Sequence, residues 1–152
     1  MNARHQIPQA LLESLPPPPA PVARFRPARE INGLVYLSGL APLENGAPLT
    51  GQIGTEIDLA EGQRRARLVG LALLSNLRAT IGDLSRVTAV IKVNGYVNAP
   101  AGFTDHPQII NGCSDVFIEA FGEAGEHART AVGVASLPGN ISVEIEAIVA
   151  VS

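Results

Sequence analysis

The chain has 152 residues, of which 46% are hydrophobic and 16% charged, with a formal net charge of −3. That balance excludes a disordered chain and suffices for one domain with a buried core. The acidic character, an aromatic content of only 4% and the lack of a long Lys/Arg run argue against a nucleic-acid-binding face.

Residues 1–21 form a proline-rich lead, with Pro16 to Pro19 consecutive and Pro21 following. Proline fixes φ and removes backbone donors, so the lead is expected to be extended and to begin no helix, with the domain proper over 22–152. Val22–Ile31 reads as a strand, and Asn32-Gly33 is a two-residue hairpin signal before a second strand, Leu34–Gly39. Pro42, Asn45-Gly46, Pro48 and Gly51 make 40–57 a loop.

A helix is predicted from Asp58, an N-cap with Glu61 three residues on, to a stop at Gly82. Ala66, Leu73, Leu77 and Ile81 form its apolar stripe, and Arg64, Arg65 and Arg67 its solvated edge. Val87–Val97 alternates as a strand, with Val87, Ala89, Ile91 and Val93 expected on one face. A second helix is expected over 105–122, interrupted at Asn111-Gly112. Ala128–Leu137 is a strand, Pro138-Gly139-Asn140 a turn, and Ile141–Val151 the last strand. In that strand Val143, Ile145, Ala147, Val149 and Val151 share one face, and Ser142, Glu144, Glu146, Ile148 and Ala150 the other.

The order β-β-α-β-α-β-β defines an α+β fold: one sheet with two helices on one face. The opposite face then needs cover. A mean hydropathy of +0.21 fits burial of that face in an oligomer. No run of about 18 apolar residues suggests a membrane span, and no apolar leader is visible, so the expected location is the cytoplasm.

Motifs for nucleotides and metals are absent, and His5, His106 and His127 lack ligand spacing. No metal or cofactor is expected. The single cysteine, Cys113, reads as a small core residue of the second helix.

Four places carry possible chemistry. Arg129, at a strand start beside His127, offers a planar fork suited to a carboxylate, or is an ordinary interface arginine. Glu144 and Glu146 share a face and either handle protons or water, or are solvated or paired. Ser38-Gly39 permits close backbone approach by a ligand, or is a plain turn. Asn111 either presents its amide to a cleft or marks a kink.

Ala128-Arg129-Thr130-Ala131-Val132, then Leu137-Pro138, then Val143-Glu144-Ile145-Glu146-Ala147-Ile148 resemble the C-terminal signature of the Rid (YjgF) superfamily. Val35-Tyr36-Leu37-Ser38-Gly39 resembles its early strand, and Gly82-Asp83-Leu84 its helix-to-strand link. The resemblance runs from about residue 22 to the end, with the proline-rich lead pointing to a longer subgroup.

It implies a chorismate-mutase-like fold, a homotrimer with clefts between subunits, and cofactor-independent hydrolysis of 2-imino or enamine acids to 2-oxo acids and ammonia. In that implied site Arg129 binds the substrate carboxylate and Glu144 positions or activates water. Gly39 supplies backbone contacts with Ser38 beside it. Phe25 falls where relatives often have a cleft tyrosine, and Asn111 near another cleft position. Ala131 stands where a cysteine is common. Two other readings stay open: a trimer that binds or senses small carboxylates without turnover, and a ribonuclease or translation inhibitor, which the acidic composition disfavours.

Overall fold

The computed structural model describes residues 6–152. Its elements are α1 (Gln9–Ser14), β1 (Ala28–Ile31), β2 (Leu34–Leu40), β3 (Leu43–Glu44), β4 (Ala47–Pro48), α2 (Leu59–Ile81), β5 (Val87–Asn98), α3 (His106–Phe121), β6 (Ala128–Val134) and β7 (Val143–Val151). Five strands make one sheet in the order β1-β2-β7-β5-β6. Only β5 and β6 run parallel, linked by α3 as the crossover helix; the other pairings are antiparallel.

Local chemistry accounts for most of these elements. Asn32 and Gly33 turn the β1–β2 hairpin with φ of 51° and 76°, the positive values this turn demands. Asp58 caps α2 by accepting from the Glu61 N–H at 2.9 Å. Gly82, at φ 84°, ends it. Helices α2 and α3 lie against one face of the sheet. Leu73, Leu77, Ile110 and Phe117 from the helices meet Val35, Val93, Ile145 and Val149 from the strands in one buried core. The opposite face keeps Tyr36 and Val132 46% and 40% exposed.

Five expectations are corrected. The lead does begin a helix: Gln9–Ser14 is a run of helix formers, Pro8 supplies a compatible φ of −55°, and Leu11 is buried. Leu15, before Pro16, is already extended, so the prolines themselves stay non-helical as expected. Residues 22–27 are irregular, because the strand begins only after Pro27. The loop 40–57 contains the small β3–β4 hairpin at Asn45-Gly46.

Strand β5 does not bury Ala89 and Ile91. Register shifts at 87–89 and 90–92 reset the alternation, so Val87, Val90, Val93 and Val97 face the core and Ile91 is 44% exposed. Helix α3 runs unbroken through Asn111-Gly112. Gly112 is there because a Cβ would sit 2.1 Å from the Gln63 carbonyl oxygen of α2. Among the described residues no helix is long and apolar enough to cross a membrane.

Candidate functional site

The predicted site residues fall into two groups. The first surrounds Arg129 on the edge strand β6. Arg129 is opposite Val93 in the ladder, so it points to the helix side of the sheet. There its guanidinium donates to Asn111 Oδ1 at 2.7 Å, Ser114 Oγ at 3.1 Å and the Pro107 carbonyl at 3.3 Å. All three acceptors are neutral. Among the described residues no carboxylate lies within ion-pair distance of Arg129, so its charge is held in place but not neutralised.

Behind it stands His127, whose Nε2 is 2.9 Å from Ser114 Oγ and whose Nδ1 is 2.6 Å from the Gly125 carbonyl. The proton positions follow. The Gly125 carbonyl can only accept, so Nδ1 carries the proton, and in the neutral ring Nε2 accepts from the Ser114 hydroxyl, which itself accepts from Arg129. Burial, which lowers the pKa of His127, favours the same neutral ring. The chain Gly125–His127–Ser114–Arg129 therefore fixes the arginine. Ser114 carries no signal in the sequence, because nothing there shows which face of α3 meets β6. Cys113 beside it is fully buried, and burial pushes its thiol up to about 12, which leaves it a core residue as expected.

The second group lies on the opposite face, around β7 and the irregular end of β2. Pairing between these strands slips between Leu37 and Leu40, which takes Ser38-Gly39 out of the regular ladder. Glu144 crosses this gap. A Cβ on Gly39 would lie 3.1 Å from Glu144 Cγ, so a glycine leaves that carboxylate its path.

The two glutamates differ. Glu146 accepts from Tyr96 Oη at 2.8 Å and Asn94 Nδ2 at 3.3 Å. Glu144 has no hydrogen-bond partner among the described residues, and burial, with Glu146 nearby, raises its pKa. Ser38 Oγ is committed, donating to the Arg26 carbonyl at 2.6 Å. Phe25, Gly39 and Glu144 border a cavity of about 530 Å³. Arg24, Arg26 and Arg29, which the sequence reading did not single out, line a recess beside Phe25 and Ser38. The cluster Arg24-Phe25-Arg26 was the available signal.

Within one chain these groups do not meet. Arg129 faces the helices, whereas Glu144 pairs with Tyr96 on the open face. Strand β5 stands between β6 and β7. Among the described residues no group of three or more His, Cys, Asp or Glu could hold a metal; His5 lies outside them.

This is an α+β chain of chorismate-mutase-like fold that presents, among the described residues, an uncompensated arginine at one sheet edge and an unpaired glutamate beside a cavity. Residues 8–148 match the family described as "YjgF/chorismate mutase-like, putative endoribonuclease". The chain belongs to this YjgF (Rid) superfamily. The match also takes in most of the lead.

The chain is 43% identical over 117 residues to Protein TCP17 of Trypanosoma cruzi, covering 76% of this chain and 73% of that protein. It is 31% identical over 141 residues to a 2-iminobutanoate/2-iminopropanoate deaminase of Dermatophagoides farinae, covering 91% and 94%. The solved structure of Atu1372 from Agrobacterium tumefaciens superposes with a TM-score of 0.83 at 43% identity, covering 87% and 85%.

Proposed function

We propose that this protein hydrolyses reactive 2-imino or enamine carboxylic acids to 2-oxo acids and ammonia, without a cofactor, at a cleft between subunits of a cytoplasmic homotrimer. The observation that carries this reading is Arg129. Its guanidinium is oriented by three neutral acceptors and lacks an ion-pair partner among the described residues, as a carboxylate-binding arginine requires. The likeness to an imine deaminase of Dermatophagoides farinae supports the choice of reaction.

The separation of Arg129 from Glu144 within one chain supports a shared site. In a closed trimer the edge strand β6 of one subunit approaches the open face of its neighbour, and the two groups meet there. The substrate carboxylate binds Arg129 and places the imine carbon near Glu144. Glu144 has no competing hydrogen bond among the described residues, so its carboxylate orients a water and takes its proton as the water oxygen bonds to the carbon. The C=N electron pair of the iminium moves to nitrogen, which becomes a neutral amine and needs no further proton at this step. The tetrahedral adduct then loses ammonia as the hydroxyl oxygen becomes the ketone, its proton leaving to solvent. Glu144 returns its proton to the departing nitrogen. An iminium carbon is already electrophilic, so positioning and one proton acceptor suffice.

Binding of a 2-oxo acid without turnover is the second reading, favoured by Phe25, which lacks a phenolic hydroxyl at the cavity. RNA cleavage is less well supported. His127 is committed to Ser114 and Gly125, and His106 stacks edge-on against Phe103 at 5.1 Å.

The test generates 2-imino acids with an amino-acid oxidase and traps them with semicarbazide. Wild type diverts imine from the trap to 2-oxo acid, and Arg129→Ala does not. An active Arg129→Ala protein of unchanged oligomeric state would sink the proposal.

A further inference from the structure

This acidic chain gathers positive charge in one place. Arg24, Arg26 and Arg29 follow one another with no Asp or Glu between them. With Phe25 and Ser38 they line a recess of about 560 Å³. Arg64, Arg65, Arg67 and Arg86 each reach a glutamate within 3.2 Å, whereas among the described residues none of the three recess arginines joins an ion pair. Glu30, the next acidic residue along the chain, is taken by Arg86.

The segment that carries these arginines is held. Ser38 of β2 grips it twice: its N–H donates to the Pro27 carbonyl at 3.0 Å, and its hydroxyl donates to the Arg26 carbonyl at 2.6 Å. The Phe25 N–H donates to the Ala23 carbonyl at 3.0 Å. Arg29 belongs to β1 and is opposite Tyr36 in the ladder. The backbone therefore gathers three guanidiniums around one recess, and like charges so placed repel one another until an anion joins them.

The recess adjoins the surroundings of Glu144 without including it. Phe25 borders both the recess and the cavity beside Glu144, and Ser38 immediately precedes Gly39, against which Glu144 packs. Glu146, which lines a neighbouring hollow with Arg29, is engaged by Tyr96 and Asn94. A substrate whose imine carbon sits at Glu144 can extend past Phe25 to the guanidiniums.

We infer that this recess binds a second carboxylate of the substrate, which makes the substrate a dicarboxylic 2-imino acid such as 2-iminoglutarate. The inference rests on the reading of Arg129 and Glu144 as the first carboxylate and water sites, and it names the substrate class they serve. Arg129 holds the carboxylate next to the imine, and the recess holds the one at the far end. Arginine suits that task, because its planar fork donates two hydrogen bonds to one carboxylate. A neutral side chain leaves the positive cluster uncompensated, so the recess selects against it.

Isothermal titration of the full chain with 2-oxoglutarate and 5-methyl-2-oxohexanoate tests this. The two acids are close in shape and differ at the far end, where one has a carboxylate and the other an isopropyl group. 2-Oxoglutarate is expected to bind at least about tenfold tighter, the worth of one charged hydrogen bond or more. In about 1 M salt, where the screening length falls to about 3 Å, the preference should shrink. The triple variant Arg24→Gln, Arg26→Gln, Arg29→Gln should lose it; all three residues are exposed, so the core is untouched. Equal affinity of wild type for the two acids, or a preference that survives the triple substitution, would overturn the inference alone. Failure of both acids to bind would overturn the Arg129 carboxylate site beneath it as well.

Discussion

Replacing Gly112 by alanine sets helix propensity against packing. In an exposed helix interior the change should stabilise the protein by about 1 kcal/mol, because glycine loses more backbone entropy on folding. At position 112 the added methyl would lie 2.1 Å from the Gln63 carbonyl oxygen, 3.0 Å from its carbon and 3.2 Å from the Arg67 nitrogen. All three are backbone atoms of α2, so no side-chain rotation relieves the clash. The helices must part by about 1 Å to restore even the 3.0 Å below which Cβ contacts essentially never occur.

Overpacking of this kind costs about 1–3 kcal/mol, and backbone against backbone belongs at the upper end. The net loss is about 2 kcal/mol, or about 4–8 °C in Tm for a chain of this size. Thermal and urea melts followed by circular dichroism measure it. The same shift carries Asn111 and Ser114 away from Arg129, so affinity for a 2-oxo acid should fall with stability. An unchanged or raised Tm would refute the close-approach argument and return Gly112 to the role of a helix irregularity.

Arg129→Lys keeps the charge but loses the fork that Asn111, Ser114 and Pro107 orient, so 2-oxo acid affinity measured by titration should fall about tenfold or more. Glu144→Gln should lower kcat about a hundredfold while raising Tm at neutral pH, since burial opposes ionisation of Glu144 in the fold and glutamine removes that penalty. For wild type the catalytic form of Glu144 is the carboxylate, so kcat/KM should fall with falling pH at a midpoint above the ordinary value of 4.5; a midpoint at or below it would contradict the burial argument. Glu61, bonded to Arg64 and Arg65, is held down to about 2. Its stabilisation, about 1 kcal/mol for an exposed network, is present above pH 4.5 and lost as pH falls towards 2; an acid titration comparing wild type with Glu61→Gln reads the difference.

Much of this fold was legible because its signals are local. Asp58, Gly82 and Asn32-Gly33 each act through their own backbone, and β7 alternates without interruption. The misreadings arose where tertiary structure decides. Two register slips turn Ile91 outward although the residue pattern of β5 is regular. Gly112 looked like a break because its partner, Gln63, is remote in sequence. A six-residue helix such as α1 is too short for periodicity to reveal, and the prolines after it dominate the reading.

The resemblance singled out Arg129 and Glu144, but only the strand order and register show that one chain holds them apart.

Subunit mixing distinguishes one site shared between Arg129 of one subunit and Glu144 of another from two separate sites. Arg129→Ala and Glu144→Gln are each expected to be inactive in imine hydrolysis. Refolded together in equal amounts, they should regain about a quarter of wild-type activity, since a site needs an intact Arg129 from one variant and an intact Glu144 from the other on the correct neighbour. Mixed oligomers that form but stay inactive would contradict the shared cleft.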